Sequence, residues 1–364
     1  MKATYFDVNE KNVKERKQLS EIPFMVDVQS MEYLLVHKKD LKIILVIPTK
    51  NEGYKGNNEK TNIGITLDNL KPIIETDLID QVLVIDSGSI DETVFDVQCK
   101  IGENYPKLDM IDAISYARDH GDLNSLQEPI SGKGYSIKIA SDSYIGKNEV
   151  LVFCDADFSV RPAQIQAVVS PLIADQSVVL CKAALNRATK RGLINSLYEK
   201  GGRATKMIAK PLFNSWKETA VLNHFLQPLG GLFAFRASHL NAIRPIPNDY
   251  RLETHSFLES FAHEIKNGSP FSENFAQVLK GYLERPTIVQ VWAGPFVQIG
   301  QQSTAIEQMC EHIAVQIAQL AKKYSFTPQD SQYASYNYET DFVSDHFSGT
   351  IITRKKTESF LHDV

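Results

Sequence analysis

Apolar and polar positions alternate along the first half of the chain in a repeated rhythm. Leu41–Pro48 (LKIILVIP), Gln81–Ile85 (QVLVI) and Glu149–Cys154 (EVLVFC) are short apolar runs rich in β-branched residues. Runs of this length and make-up predict strands buried on both faces of a parallel sheet. Residues 51–62 (NEGYKGNNEKTN) are polar and rich in Gly and Asn, which predicts a loop. Ile63–Ile74 and residues 133–145 carry helical patterns, the second opened by Gly132-Lys133-Gly134. The order predicts an open α/β fold, a Rossmann-like sheet flanked by helices. Each strand runs into a polar cluster: Pro48–Glu52, Asp86–Ser89 and Asp155–Asp157. Ligands bind at the carboxyl edge of such sheets. Any one cluster would also make an ordinary turn, since Asp, Ser and Gly favour turns, but three in register point to a site.

The second half has a different texture. Val178–Ala184 reads as a strand and residues 192–214 as a helix-like stretch interrupted by Gly201-Gly202. Residues 226–236 read as a loop entering a strand, 253–266 as an amphipathic helix, 287–292 as a strand and 305–323 as a helix. We expect a leader over 1–40, an α/β domain over 41–300, and a C-terminal helix with a polar tail over 301–364.

Composition narrows the class. The 364 residues are 43% hydrophobic and 23% charged, which excludes a fibrous or largely disordered chain. The net charge of −5 argues against a nucleic-acid binder held by bulk positive charge. Cys99, Cys154, Cys181 and Cys310 are widely spaced, with no CxxC pair, so neither a disulfide framework nor a structural zinc site is expected. The N-terminus has no apolar signal core, and no stretch approaches the roughly 20 apolar residues of a membrane span. A cytoplasmic protein is the expectation.

Asp155-Ala156-Asp157 is the most informative local feature. Two carboxylates leaving a buried strand repel one another unless a cation lies between them. Mg²⁺ or Mn²⁺ takes oxygen ligands and commonly bridges carboxylates to substrate phosphates. A solvated acidic turn is the plainer alternative. Lys133, between two glycines at a helix start, offers a cation and backbone N–H groups to an anion. A surface turn would look the same, and the spacing is not that of a P-loop.

These segments resemble a known family. VIPTKNE (46–52), VLVIDSGSIDET (82–93), GKG (132–134) and VFCDADF (152–158) stand in the order found in GT-A glycosyltransferases. GGRATKMIAKPLF (201–213) and QPLGGLFAF (227–235) are similar to segments of glucosyl-3-phosphoglycerate synthases, and QPLGG also to mannosylglycerate synthases. Tyr250–Thr254 resembles the acidic segment that follows in both. The resemblance spans roughly 41–300, and implies a nucleotide-sugar half at 41–160 and an acceptor half at 161–300. It implies retaining transfer of glucose or mannose from a nucleotide sugar to a small anionic acceptor such as 3-phosphoglycerate, with Mg²⁺ or Mn²⁺ and a homodimer. Pro48, Thr49, Glu52, Asp86, Ser87, Lys133, Asp155 and Ala156 would bind the donor, and Asp157 the metal. Gly202, Arg203 and Thr205 would hold the acceptor phosphate. The Leu229 carbonyl would lie beneath the anomeric centre, and Glu253, with Asp155, would serve the reacting sugar.

The sequence also departs from that family. Its Arg-x-His-x-Asn pattern aligns with Phe296, Gln298 and Gly300, and no histidine lies between 264 and 310. Gln298 therefore takes the place of the metal-binding histidine; its amide oxygen suits Mg²⁺ but lacks an imidazole nitrogen. Leu232 stands where the family carries an acidic residue. Three readings remain: an active transferase with altered preferences, which we favour; a non-catalytic sugar-nucleotide binder; and a nucleotidyltransferase, whose Gly-rich loop after the first strand is missing here.

Overall fold

A computed structural model describes residues 22–53, 61–122, 133–144, 148–157, 160–189, 192–193, 205–247, 251–266, 275–297 and 303–328. The strands are β1 (Met25–Val26), β2 (Lys42–Thr49), β3 (Gln81–Asp86), β4 (Leu108–Asp112), β5 (Glu149–Phe153), β6 (Leu180–Thr189), β7 (Gly192–Leu193), β8 (Phe233–Arg236) and β9 (Ile288–Val297). The helices are α1 (Met31–His37), α2 (Asn62–Ile74), α3 (Thr93–Gly102), α4 (Ala113–Asp119), α5 (Lys133–Ser143), α6 (Pro162–Ala174), α7 (Lys210–Asn214), α8 (Ala237–Ala242), α9 (Leu252–Lys266), α10 (Phe275–Glu284) and α11 (Ser303–Tyr324).

The strands form one mixed sheet in the order β1-β9-β6-β8-β5-β2-β3-β4, with β7 paired to β6. The block β5-β2-β3-β4 is parallel, as the apolar runs predict. β8 is antiparallel to both β5 and β6, which makes the sheet mixed. Strand side chains alternate between faces. Ile44, Val46, Leu83, Ile85, Leu151 and Phe153 enter one core with α5, α9 and α11. Ile43, Leu45, Ile47, Val82, Val84, Val150 and Val152 enter the other with α2 and α6. Cores on both faces explain why these strands read as unbroken apolar runs.

Three parts of the fold differ from the pattern-based expectation. β4 and α4 were not signalled, because β4 (LDMID) is an edge strand that mixes charged and apolar side chains. The stretch 192–214 is not one helix. Gly192–Leu193 pairs back on Ala188–Thr189, and the described helical part is a π-type turn at Thr205–Ala209 leading into the short α7. Pro211, in the first turn of α7, has no N–H to extend a helical ladder through it. The segment read as a leader enters the sheet, with Met25 opposite Gln290 and Val26 opposite Val291. Among the described residues, no helix is long and apolar enough to cross a membrane.

Candidate active site

Register brings the polar clusters together. Thr49 lies opposite Asp86, and Val46 opposite Phe153, so β2, β3 and β5 all end on one edge. Asp155 and Asp157 follow β5 there. Lys133 is the first residue of α5, and Glu253 lies in the first turn of α9. The Lys133 ammonium contacts the Asp155 carboxylate and lies 2.9 Å from Glu253 Oε1. Three predicted site residues, widely separated in sequence, thus meet through one cation. Burial disfavours that cation, but the Asp155 and Glu253 carboxylates outweigh it and hold Lys133 well above the ordinary lysine range. Pairing leaves Glu253 half-buried rather than facing solvent, the position its helix pattern alone would favour.

Glu52, on the loop after β2, adds to this charge. Its carboxyl is pushed up to about 7, chiefly by burial and further by Asp157, Asp155 and Asp91, against a 3.1 Å hydrogen bond from Asn62 Nδ2. Several carboxylates sharing one potential suit a hard divalent cation with oxygen ligands. Lys133 pairs with Asp155 at this edge, and Asp157 lies two residues further along the same turn. Among the described residues, this edge offers no third His, Cys, Asp or Glu atom close enough to complete a protein-only set. Such an ion would also draw on substrate oxygens.

The Glu52 shift fixes a pH dependence. Between about pH 4.5 and 7 the folded state binds more protons at Glu52 than the unfolded chain does, so this group lowers stability as pH rises. The penalty is complete above pH 7 and amounts to about 3 kcal/mol at most. Glu52→Gln keeps the side-chain oxygen facing Asn62. Its melting temperature is expected to match wild type near pH 4.5 and to exceed it progressively towards pH 8. A difference that does not vary with pH would contradict the half-buried, charge-crowded Glu52.

The other predicted donor residues lie in turns and hydrogen bonds around this edge. Asp86 is buried and accepts from the N–H groups of Gly88 (3.0 Å) and Ser89 (2.9 Å), from Ser89 Oγ (2.5 Å) and from Thr49 Oγ1 (3.3 Å). It builds the turn after β3. Ser87 is buried against Ser136, with the hydroxyl oxygens 3.3 Å apart. Pro48 is half-buried, and the Ala156 carbonyl accepts 2.8 Å from Thr66 Oγ1, tying the acidic turn to α2. Thr205 is buried in the π-type turn. Gly202, Arg203 and Gln298 lie outside the described residues. His255 is a satisfied core histidine, 2.9 Å from the Ile243 carbonyl and 3.1 Å from Gln316 Nε2.

The turn 227–230 brings Leu229 to the same place. Gly230 N–H donates to the Gln227 carbonyl at 3.1 Å, and Gln227 Nε2 donates to the Leu185 carbonyl. The next residue, Gly231, lies against Asp155 so closely that a Cβ would overlap its carboxylate. Sequence reasoning missed Lys182, on β6. It is 1% exposed; its Nζ donates 2.9 Å to the Gly230 carbonyl and lies 4.4 Å from the centre of the Phe233 ring. A lone lysine inside the apolar run VVLCKAAL (178–185) was the available signal. Gln290 was missed too. Its amide accepts from Leu226 N–H (2.9 Å) and donates to the Pro23 (2.9 Å) and His224 (3.0 Å) carbonyls, bracing the approach to the turn.

Known proteins share both the sequence and the architecture. Glucosyl-3-phosphoglycerate synthase of Petrotoga mobilis is 30% identical over 248 residues, 67% of this chain and 66% of that protein. The enzyme of the same name from Mycobacterium tuberculosis is 28% identical over 212 residues, 56% of this chain and 58% of its own length. The chain is a distant homologue of glucosyl-3-phosphoglycerate synthase. That synthase is a GT-A glycosyltransferase, and the α/β sheet has that fold. The crystal structure of mannosyl-3-phosphoglycerate synthase from Rubrobacter xylanophilus superposes with a TM-score of 0.56 at 23% identity, covering 80% of this chain and 78% of that one. The M. tuberculosis synthase with Mn²⁺, UDP-glucose and phosphoglyceric acid gives 0.57 at 20% identity, covering 84% and 88%. At these identities the structural matches establish the fold. The sequence match covers well under two thirds of the mycobacterial relative. No family model matches the chain.

Proposed function

We propose that this protein is a retaining hexosyltransferase. It moves glucose or mannose from a nucleoside-diphosphate sugar to a small phosphorylated or carboxylated acceptor of the 3-phosphoglycerate type. The meeting of Lys133, Asp155 and Glu253 beside the 227–231 turn carries this reading. Departure of a sugar from its diphosphate develops negative charge on the phosphate oxygens, and preorganised positive groups lower that barrier. Lys133 is such a group, immobilised by two carboxylates. Asp157 would hold Mg²⁺ or Mn²⁺, which would supply further neutralisation of the diphosphate; Gln298 is proposed as a second ligand from its sequence position alone. Glu253 would orient sugar or acceptor hydroxyls, and the Leu229 carbonyl would lie under the anomeric carbon, where partial positive charge grows. The GGR segment, with Arg203 and Thr205, would take the acceptor phosphate through a guanidinium fork and backbone N–H groups.

A panel of UDP-glucose and GDP-mannose, each with 3-phosphoglycerate and with Mg²⁺ or Mn²⁺, tests the reading, with the product's anomeric configuration read by NMR. Asp157→Ala is expected to lower transfer at least about 1,000-fold, equivalent to about 4 kcal/mol, with an unchanged melting temperature. Full turnover in that variant would remove the metal assignment. Arg203→Ala is expected to raise the acceptor KM at least about tenfold and leave the donor KM within about twofold. An unmoved acceptor KM would take the phosphate away from Arg203.

A further inference from the structure

We propose that His239, His263 and Glu264 form a second metal site, separate from the cleft, for a tetrahedral transition-metal ion of the zinc type. His239 lies on α8, and His263 and Glu264 near the end of α9. His239 Nδ1 is 3.6 Å from Glu264 Oε1, and His263 Nδ1 is 3.4 Å from the same oxygen. One ligand atom from each of the three lies within 4.8 Å of the other two. Zinc holds imidazole nitrogen and carboxylate oxygen at about 2.0–2.2 Å, which places neighbouring corners of a tetrahedron about 3.3–3.5 Å apart. The two separations are close to that edge; without an ion His263 Nδ1 makes a long hydrogen bond to Glu264 Oε1, whereas the His239 separation is too long for one.

The surroundings of His239 match those of a metal ligand. Its other ring nitrogen, Nε2, lies 2.9 Å from Ser260 Oγ, one turn earlier on α9. A metal-bound histidine ordinarily makes such an outer hydrogen bond through its free nitrogen, which fixes the tautomer and the ring orientation. His239 is buried and His263 exposed, their rings meeting edge to face at 5.4 Å. The exposed side leaves room for a water as fourth ligand. Two imidazoles and one carboxylate favour zinc-like ions over Mg²⁺, whereas the cleft presents carboxylates.

Position separates the two sites. Glu253 and Glu264 are eleven residues apart on α9, about 16 Å along the helix. An ion here would tie α8 to the C-terminal half of the helix that carries Glu253 at its start, a structural link rather than a reacting centre.

The test uses the full chain, stripped with chelator and titrated with ZnCl₂ by calorimetry, with melting temperature as a second readout. Wild type and Asp157→Ala are expected to bind one Zn²⁺ with equal affinity, micromolar or tighter, and to melt at a higher temperature with the metal. His263→Ala and Glu264→Gln alter the more accessible ligands; each is expected to weaken binding at least about tenfold and to lose the thermal gain. Co²⁺ should give the strong visible bands of tetrahedral coordination in wild type and not in His263→Ala. Absence of zinc binding in wild type, unchanged binding in His263→Ala and Glu264→Gln, or loss of binding in Asp157→Ala would each overturn the proposal.

Discussion

Gly231→Ala is expected to disable the site with a single methyl group. The new Cβ would overlap the Asp155 carboxylate. That carboxylate cannot simply swing away, because the half-buried Lys133 ammonium holds it, and Glu253 holds Lys133 from the other side. Nor is the turn free to retreat. The preceding Gly230 carbonyl is bound by Lys182, and the following Leu232 carbonyl accepts from Ala183 N–H at 3.1 Å. One of these pairings must break. We expect a stability loss of about 1–3 kcal/mol, the usual cost of overpacking. If the proposed transfer is catalysed here, turnover should fall about 100-fold or more, the cost of displacing a group of the site by an ångström. Gly281→Ala is the control. It lies on α10 with open space around it, so an added methyl should leave activity unchanged and raise the melting temperature slightly. Equal behaviour of the two alanine variants would refute the contact between Gly231 and Asp155.

Lys182→Met is expected to separate turnover from binding. The substitution keeps the volume and removes both the charge and the donor to the Gly230 carbonyl. Lys182 is buried behind the 227–230 turn and holds the carbonyl of the Gly230–Gly231 peptide, so we expect it to act as a positioning residue for that turn. We expect kcat to fall about 100-fold and the donor KM to change less than about threefold. Amide hydrogen exchange across 227–231 should accelerate in the same variant, a readout that needs no substrate. An unchanged kcat with unchanged exchange would show that the lysine only fills space. Stability should follow pH in a defined direction. Burial, reinforced by Lys133 and opposed by Glu253 and Asp155, pushes the Lys182 ammonium down to about 7. Between pH 7 and about 10 the unfolded chain binds more protons at this group, so wild-type stability should rise relative to Lys182→Met across that window.

The residues legible in advance were those whose type and local spacing carry chemistry. Apolar runs ending in Asp, Ser or Glu marked the binding edge, because a buried strand can present polar groups only where it leaves the core. Lys133, Asp155 and Glu253 were chosen individually, and the fold joins them into one ion network. Asp86 and Ser87 read as donor contacts; in the structure Asp86 also builds the turn after β3, and Ser87 lies against Ser136. An Asp after a strand has the same local sequence whether it turns the chain or meets a ligand.

The amino-acid order by itself determined the βαβ rhythm, the two-faced burial of β2, β3 and β5, and the acidic turn after β5, since each depends on neighbours a few residues away. Only the tertiary structure decided that Lys182 reaches Gly230, that Gly231 must lack a side chain, that residues 25–26 complete the sheet and that Glu253 turns inward. Those outcomes depend on antiparallel pairing of β8 with β5 and β6 and on α9 packing across the sheet. Such contacts join positions tens to hundreds of residues apart, and no local pattern of hydrophobicity or charge encodes them.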